Sequence, residues 1–184
     1  MTQLLGPFIV SALFVLVSLI ADAAPRSQAR KPASDVIADS RLKSCHDGDT
    51  SRFVRKNGRV VKVRLDGVDA PELGRPFSKE ARDFAVGFLS GKDVELRCAT
   101  TKSFDRRVCK VSVGGQDLGA ELVKQGLAWD APRYSKGFYQ PEQTLAMQEK
   151  RGLWAQDKVE SPTCQRRQSK RAKQNCPLNP AYQE

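Results

Sequence analysis

Two acidic runs hold the residue types that could do chemistry in this chain. Asp47-Gly48-Asp49-Thr50 comes first, and Arg64-Leu65-Asp66-Gly67-Val68-Asp69-Ala70-Pro71-Glu72 follows. Carboxylate oxygens suit a hard cation such as Ca²⁺ or Mg²⁺. A guanidinium beside them suits a phosphate, through paired N–H donors in a planar fork. Together they point to metal-assisted attack on a phosphodiester. Alone, Asp-Gly-Asp-Thr is an ordinary turn sequence, and Pro71 would simply end a strand. The order of the two runs, with a hairpin between them and a helix after, is what carries information.

The elements that must position these residues are legible as alternation and helical spacing. Arg52-Phe53-Val54-Arg55 and Val60-Val61-Lys62-Val63-Arg64-Leu65 are β-rich runs joined through Asn57-Gly58, a strong hairpin signal in which both central residues accept φ > 0. An earlier strand is expected over residues 42–46. Ser78 is expected to cap a helix whose apolar face is Ala81, Phe84, Ala85, Phe88 and Leu89, stopped by Gly91. Residues 94–98 and 106–113 read as two more strands. Asp117 caps a short helix ended by Gly126, and a last helix starts near Pro141 and stops at Gly152. Trp129 and Trp154 are expected in the core. Five strands with a helix after the third predict an α+β, mainly β fold: a five-stranded OB-fold barrel with about three helices.

The bulk numbers fit one domain with appendages. The chain has 184 residues, 40% hydrophobic and 28% charged, and a formal net charge of +10. That excess suits a polyanionic partner, or equally a solvated, solubility-promoting surface. Residues 8–20 form an uncharged apolar run before Ala21-Asp22-Ala23, so residues 1–23 read as an export signal, although no Lys or Arg precedes the run. An uncleaved anchor is the alternative. The expected division is signal 1–23, flexible leader 24–41, globular domain 42–156 and a disordered basic tail 157–184. Residues 165–173 of that tail hold five basic side chains and no acid. Five cysteines in an oxidising compartment should pair in part. Cys98 and Cys109 flank a hairpin and could meet across it, and Cys164 and Cys176 could staple the tail. Cys45 reads as a small buried hydrophobe. His46, the only histidine, has no second ligand at metal-binding spacing.

The sequence resembles the staphylococcal nuclease family. The runs that carry the resemblance are Asp47-Gly48-Asp49-Thr50, Arg64 to Glu72, Phe104-Asp105-Arg106-Arg107-Val108-Cys109, Glu121 to Ala128, and Gly152-Leu153-Trp154. The resemblance implies Ca²⁺ ligation by Asp49, Asp69 and the backbone carbonyl of Ala70. It implies Glu72 as general base toward the attacking water; the alternative reading of Glu72 is a carboxylate that steadies the metal's ligands without taking a proton. It implies Arg64 and Arg106 as the arginines that grip the scissile phosphate. Arg107 adjoins Arg106, and register decides between them; aligning Val108 and Cys109 with the family's apolar pair selects Arg106. Where the family has Tyr-Gly before this arginine, the chain has Phe104-Asp105, so base stacking could survive but a phenolic hydrogen bond could not. Tyr134 aligns with a second nucleotide-contacting tyrosine.

The implied activity is an exported, Ca²⁺-dependent endonuclease acting on DNA and RNA and leaving 3′-phosphates, a monomer in the periplasm or secreted. The alternative is a non-catalytic OB-type module that binds nucleic acid or another anionic polymer in an envelope process. Hydrolysis of small phosphodiesters is a third reading. All of Asp49, Arg64, Asp69, Glu72 and Arg106 are present, which favours the enzyme.

Overall fold

The computed structural model describes residues 35–157 and 160. Its strands are β1 (Asp35–Cys45), β2 (Thr50–Val54), β3 (Val60–Leu65), β4 (Val68–Asp69), β5 (Val94–Ser103), β6 (Arg106–Val113), β7 (Gln116–Asp117) and β8 (Trp129–Asp130). Strands β3, β2, β1, β5 and β6 pair in that order, all antiparallel, and a parallel pairing of β3 with β6 closes the ring. Three helices of two turns or more accompany the barrel: α1 (Ser78–Leu89), α2 (Leu118–Lys124) and α4 (Gln140–Gln148). A four-residue α3 (Pro132–Ser135) and a 3₁₀ turn (Gly152–Ala155) complete them. This is the expected mixed, mainly-strand barrel of the OB type.

The core follows from the alternation. Phe53, Val63, Leu96 and Val111 point inward from the ring, and Ala81, Ala85 and Leu89 supply the buried stripe of α1. Phe84 and Phe88 flank that stripe half-buried. Cys98 and Cys109 face each other across β5 and β6 and form a disulfide, both sulfurs inside the core. Trp129 is buried, whereas Trp154 is only half-buried.

Four local expectations need correction. The first strand starts at Asp35, so residues 35–41 belong to the barrel and not to a leader. A register shift between Ile37 and Ser40, with Asp39 at φ 52°, breaks the alternation that would have revealed it. At the hairpin only Gly58 takes positive φ (76°). Asn57 instead accepts from Arg59 N–H with its side chain (3.1 Å), after a turn closed by Gly58 N–H to Arg55 O (2.9 Å). Ser78 does not cap α1: the cap position is Phe77 at φ 65°, with no side-chain cap bond. Cys45 is half-buried rather than core. Its thiol donates to Asp47 O (2.9 Å) and accepts from the Ser51 hydroxyl (3.2 Å), and burial raises its pKa. Asp117 does cap α2, accepting from Gly119 N–H and Ala120 N–H. The proposed signal, residues 24–34, and the basic run with Cys164 and Cys176 lie outside the described residues. Among the described residues no helix is long and apolar enough to cross a membrane.

Candidate active site

The loop between β1 and β2 is folded by its own polar groups. Asp47 Oδ1 accepts from Asp49 N–H (3.1 Å), and Thr50 O accepts from His46 N–H (2.9 Å). The Asp49 carbonyl accepts from Leu65 N–H (2.8 Å), which joins the loop to the end of β3. Gly48 is required by contact: a Cβ there would lie 2.8 Å from the Cβ atoms of both Ala70 and Ala81. The loop can therefore press against the Ala70 segment and α1 only because residue 48 has no side chain.

That close approach delivers Asp49, 3% exposed, into a network spanning both acidic runs. Its Oδ2 accepts from Ala70 N–H (2.7 Å), and its Oδ1 accepts from the Thr50 hydroxyl (3.0 Å) and pairs with Arg64 Nη1. Arg64 Nη2 pairs with Asp69 Oδ1 and donates to Val68 O (3.3 Å). One planar guanidinium thus bridges the two carboxylates. Arg106 arrives from β6 and donates through Nη1 to the Thr50 hydroxyl oxygen (3.3 Å). Its Nε and Nη2 reach Ser103 O (3.5 Å) and Ser103 Oγ (3.3 Å). Arg107 points elsewhere, to Asp35 Oδ2 (2.8 Å), as alternation along a strand demands.

The electrostatics of Asp49 are those of a buried carboxylate. Loss of hydration is the largest influence and pushes its pKa up to about 7. Arg64 opposes this, Asp47 adds to it, the Ala70 N–H opposes it and Asp69 adds to it. Burial and two neighbouring acids thus outweigh one guanidinium.

Glu72 lies three residues past Asp69, half-buried, on a turn in which its carbonyl accepts from Arg75 N–H (3.0 Å). Phe104 stands at the tip of the β5–β6 hairpin, 93% exposed and at φ 57°. A bulky residue in the left-handed region costs on the order of 1–2 kcal/mol, so the tip holds its ring outward against a local cost. Asp105 beside it pairs with Lys62 Nζ (2.9 Å), which lowers its carboxyl pKa. Tyr134 is exposed on α3, whose Ser135 abuts the β3–β4 turn: a Cβ on Gly67 would lie 2.8 Å from Ser135 Cβ. The structure therefore joins Asp49, Arg64, Asp69, the Ala70 N–H and Arg106 in one network, and seats the Tyr134 helix against the turn leading to Asp69. Sequence reasoning missed Thr50 as the link between Asp49 and Arg106; its only signal was its place as the last letter of the first acidic run.

The donor set fits a hard cation. Two carboxylates converge on one positive group, and the Ala70 N–H holds one of them in place. Among the described residues no three His, Cys, Asp or Glu side chains are grouped for metal binding.

The profile of the family described as "Staphylococcal nuclease homologue" matches residues 62–156, about half of the chain. The chain belongs to this family. It is 32% identical over 131 residues to an uncharacterized endonuclease of Haemophilus influenzae, covering 71% of this chain and 74% of that protein. It is 29% identical over 161 residues to a staphylococcal-like nuclease of Arabidopsis thaliana, covering 85% of this chain and 49% of that one. A probable staphylococcal-like nuclease of Oryza sativa subsp. japonica is 32% identical over 118 residues, 62% of this chain and 23% of that protein. The chain thus spans less than half the length of these plant relatives. The staphylococcal nuclease homologue match includes Arg64, Asp69, Glu72 and Arg106. Asp49 lies before its start and is tied to the matched part by the bonds to Leu65, Ala70 and Arg64.

Proposed function

We propose that this protein is an exported, Ca²⁺-dependent endonuclease that hydrolyses phosphodiester bonds in DNA and RNA. The observation that carries this reading is the unbroken chain Arg106–Thr50–Asp49–Arg64–Asp69, drawn from four strands and one loop of a chain in the nuclease family. Two arginines and two carboxylates held in one network suit a phosphodiester better than any neutral substrate.

Asp49, Asp69 and the Ala70 carbonyl would hold the ion, with water and a substrate oxygen completing its shell. When bound, Ca²⁺ supplies Lewis-acid stabilisation of charge on the phosphoryl oxygens. Arg64 and Arg106 bind the same oxygens and favour the transition state, where their charge is greatest. Glu72 accepts a proton from the attacking water as its oxygen bonds to phosphorus. The P–O5′ bond breaks, the O5′ oxygen takes a proton from solvent, Glu72 returns its own to solvent, and the products are a 3′-phosphate and a 5′-hydroxyl. Phe104 offers an exposed ring on which a base can stack, and Tyr134, also exposed, would take the same role. Residues 1–23 support export, and the Cys98–Cys109 disulfide supports an oxidising compartment.

The test is digestion of single-stranded DNA and of RNA by the mature protein, with end-group analysis of the products. Internal cuts ending in 3′-phosphate are expected. Binding of either polymer without cleavage would replace the enzyme by a binding module.

A further inference from the structure

The β2–β3 hairpin runs away from the site and is unusual in its charge. From Thr50 to Arg64 it holds six Lys and Arg residues and no Asp or Glu. Its register is regular: Thr50 opposes Arg64, Arg52 opposes Lys62, and Val54 opposes Val60. Side chains two apart share a face. The row that belongs to the site, Thr50 and Arg64, is therefore followed on the same outer face by a second row of cations, Arg52 and Lys62. The third row is apolar, with Val60 46% exposed. Beyond it the turn presents Lys56 and Arg59, both exposed. Lys62 answers Asp105, but Arg52, Lys56 and Arg59 have no side-chain partner among the described residues.

Successive rows are about 6.6 Å apart, two residues of a strand. That spacing lets consecutive phosphates of one extended strand meet consecutive rows. Unneutralised cations on a regular surface bind polyanions through counterion release. We propose that this hairpin, through Arg52 on its outer face and Lys56 and Arg59 at its turn, holds the phosphates that flank the scissile one on a single-stranded nucleic acid. The site would then be the end of a track, and the apolar Val54–Val60 row would meet a sugar or base between phosphate contacts. This inference rests on the nuclease reading for its choice of polymer.

The experiment compares the full chain with the triple variant Arg52→Gln/Lys56→Gln/Arg59→Gln, reading kcat/KM on long single-stranded DNA and on a dinucleotide. The expected result is a fall of about tenfold or more in the polymer-to-dinucleotide ratio at low salt, and a salt slope of log KM for the polymer shallower by about two. An unchanged ratio overturns the track, whether both rates fall together or neither does. Should the unaltered protein cleave neither substrate, the nuclease reading fails by itself. Fluorescence anisotropy of labelled single-stranded DNA then decides the track: weaker binding and a shallower salt slope in the variant support it, and equal binding overturns it.

Discussion

Arg64 has a double task, since one guanidinium joins Asp49 to Asp69 and the proposed chemistry asks it to grip phosphate. Lysine keeps the charge but lacks the planar fork. Arg64→Lys should therefore lower kcat by about two to three orders of magnitude, as loss of a transition-state donor does, and Glu72→Gln should do the same by removing the base. Single-turnover rates on DNA check both, and unaltered rates in either variant would misplace the site. Thr50→Val removes the hydroxyl that links Arg106 to Asp49. A fall in kcat of about tenfold is expected, the scale of one misaligned charge-bearing donor. The carboxylates and arginines were legible as residue types in ordered motifs. Thr50 was not, because its role depends on a strand more than fifty residues away bringing Arg106 to its hydroxyl. Register selected Arg106 over Arg107, but the partner that holds Arg107 aside, Asp35, comes from a segment read as leader.

Among the elements, the Asp47–Thr50 loop depends on the absence of a side chain at Gly48. Gly48→Ala places a Cβ 2.8 Å from two alanine Cβ atoms, one of them on α1. Overpacking of this kind costs about 1–3 kcal/mol, and here the strain falls on the segment that aims Asp49. Denaturant unfolding should show the loss, and turnover should fall with it; a neutral result would mean that the loop does not need this close approach. The β5–β6 hairpin that carries Phe104 and Arg106 is stapled by Cys98 and Cys109, eleven residues apart. Replacing both by alanine should lower stability by about 3 kcal/mol on the chain-entropy scale. Helix α2 was legible because the capping bonds of Asp117 run to N–H groups only two and three residues on. The start of β1 was hidden because a bulge at Asp39 breaks the alternation that identifies a strand, and α1 begins at a left-handed Phe77 that no propensity favours.

At the scale of the molecule, barrel closure was the least legible feature, since the parallel β3–β6 pairing joins strands separated by α1 and β5. The count and order of elements predicted a barrel, but not which strands would close it. The buried acids behind the site give the fold a pH dependence. Asp130 is 2% exposed, and burial is the main cause of its raised pKa, with Glu142 adding to it against hydrogen bonds from Ser135 and the backbone. The folded state therefore holds this proton more tightly than the unfolded chain does. Its contribution to stability is complete below the ordinary carboxylate pKa of about 4 and is lost as pH rises through the raised value. Asp130→Asn should flatten that decline, and unfolding free energies of both proteins across the acid-to-neutral range check it. Parallel pH profiles would assign the dependence to other groups.

The central claim is that the convergent carboxylates serve a divalent cation used in phosphodiester cleavage. The most direct measurement is the rate of single-stranded DNA cleavage in one sample with Ca²⁺ in excess, then after chelation, then after calcium is restored. Activity that disappears with the chelator and returns with the ion is the predicted result. Cleavage that continues undiminished without divalent cation would contradict it.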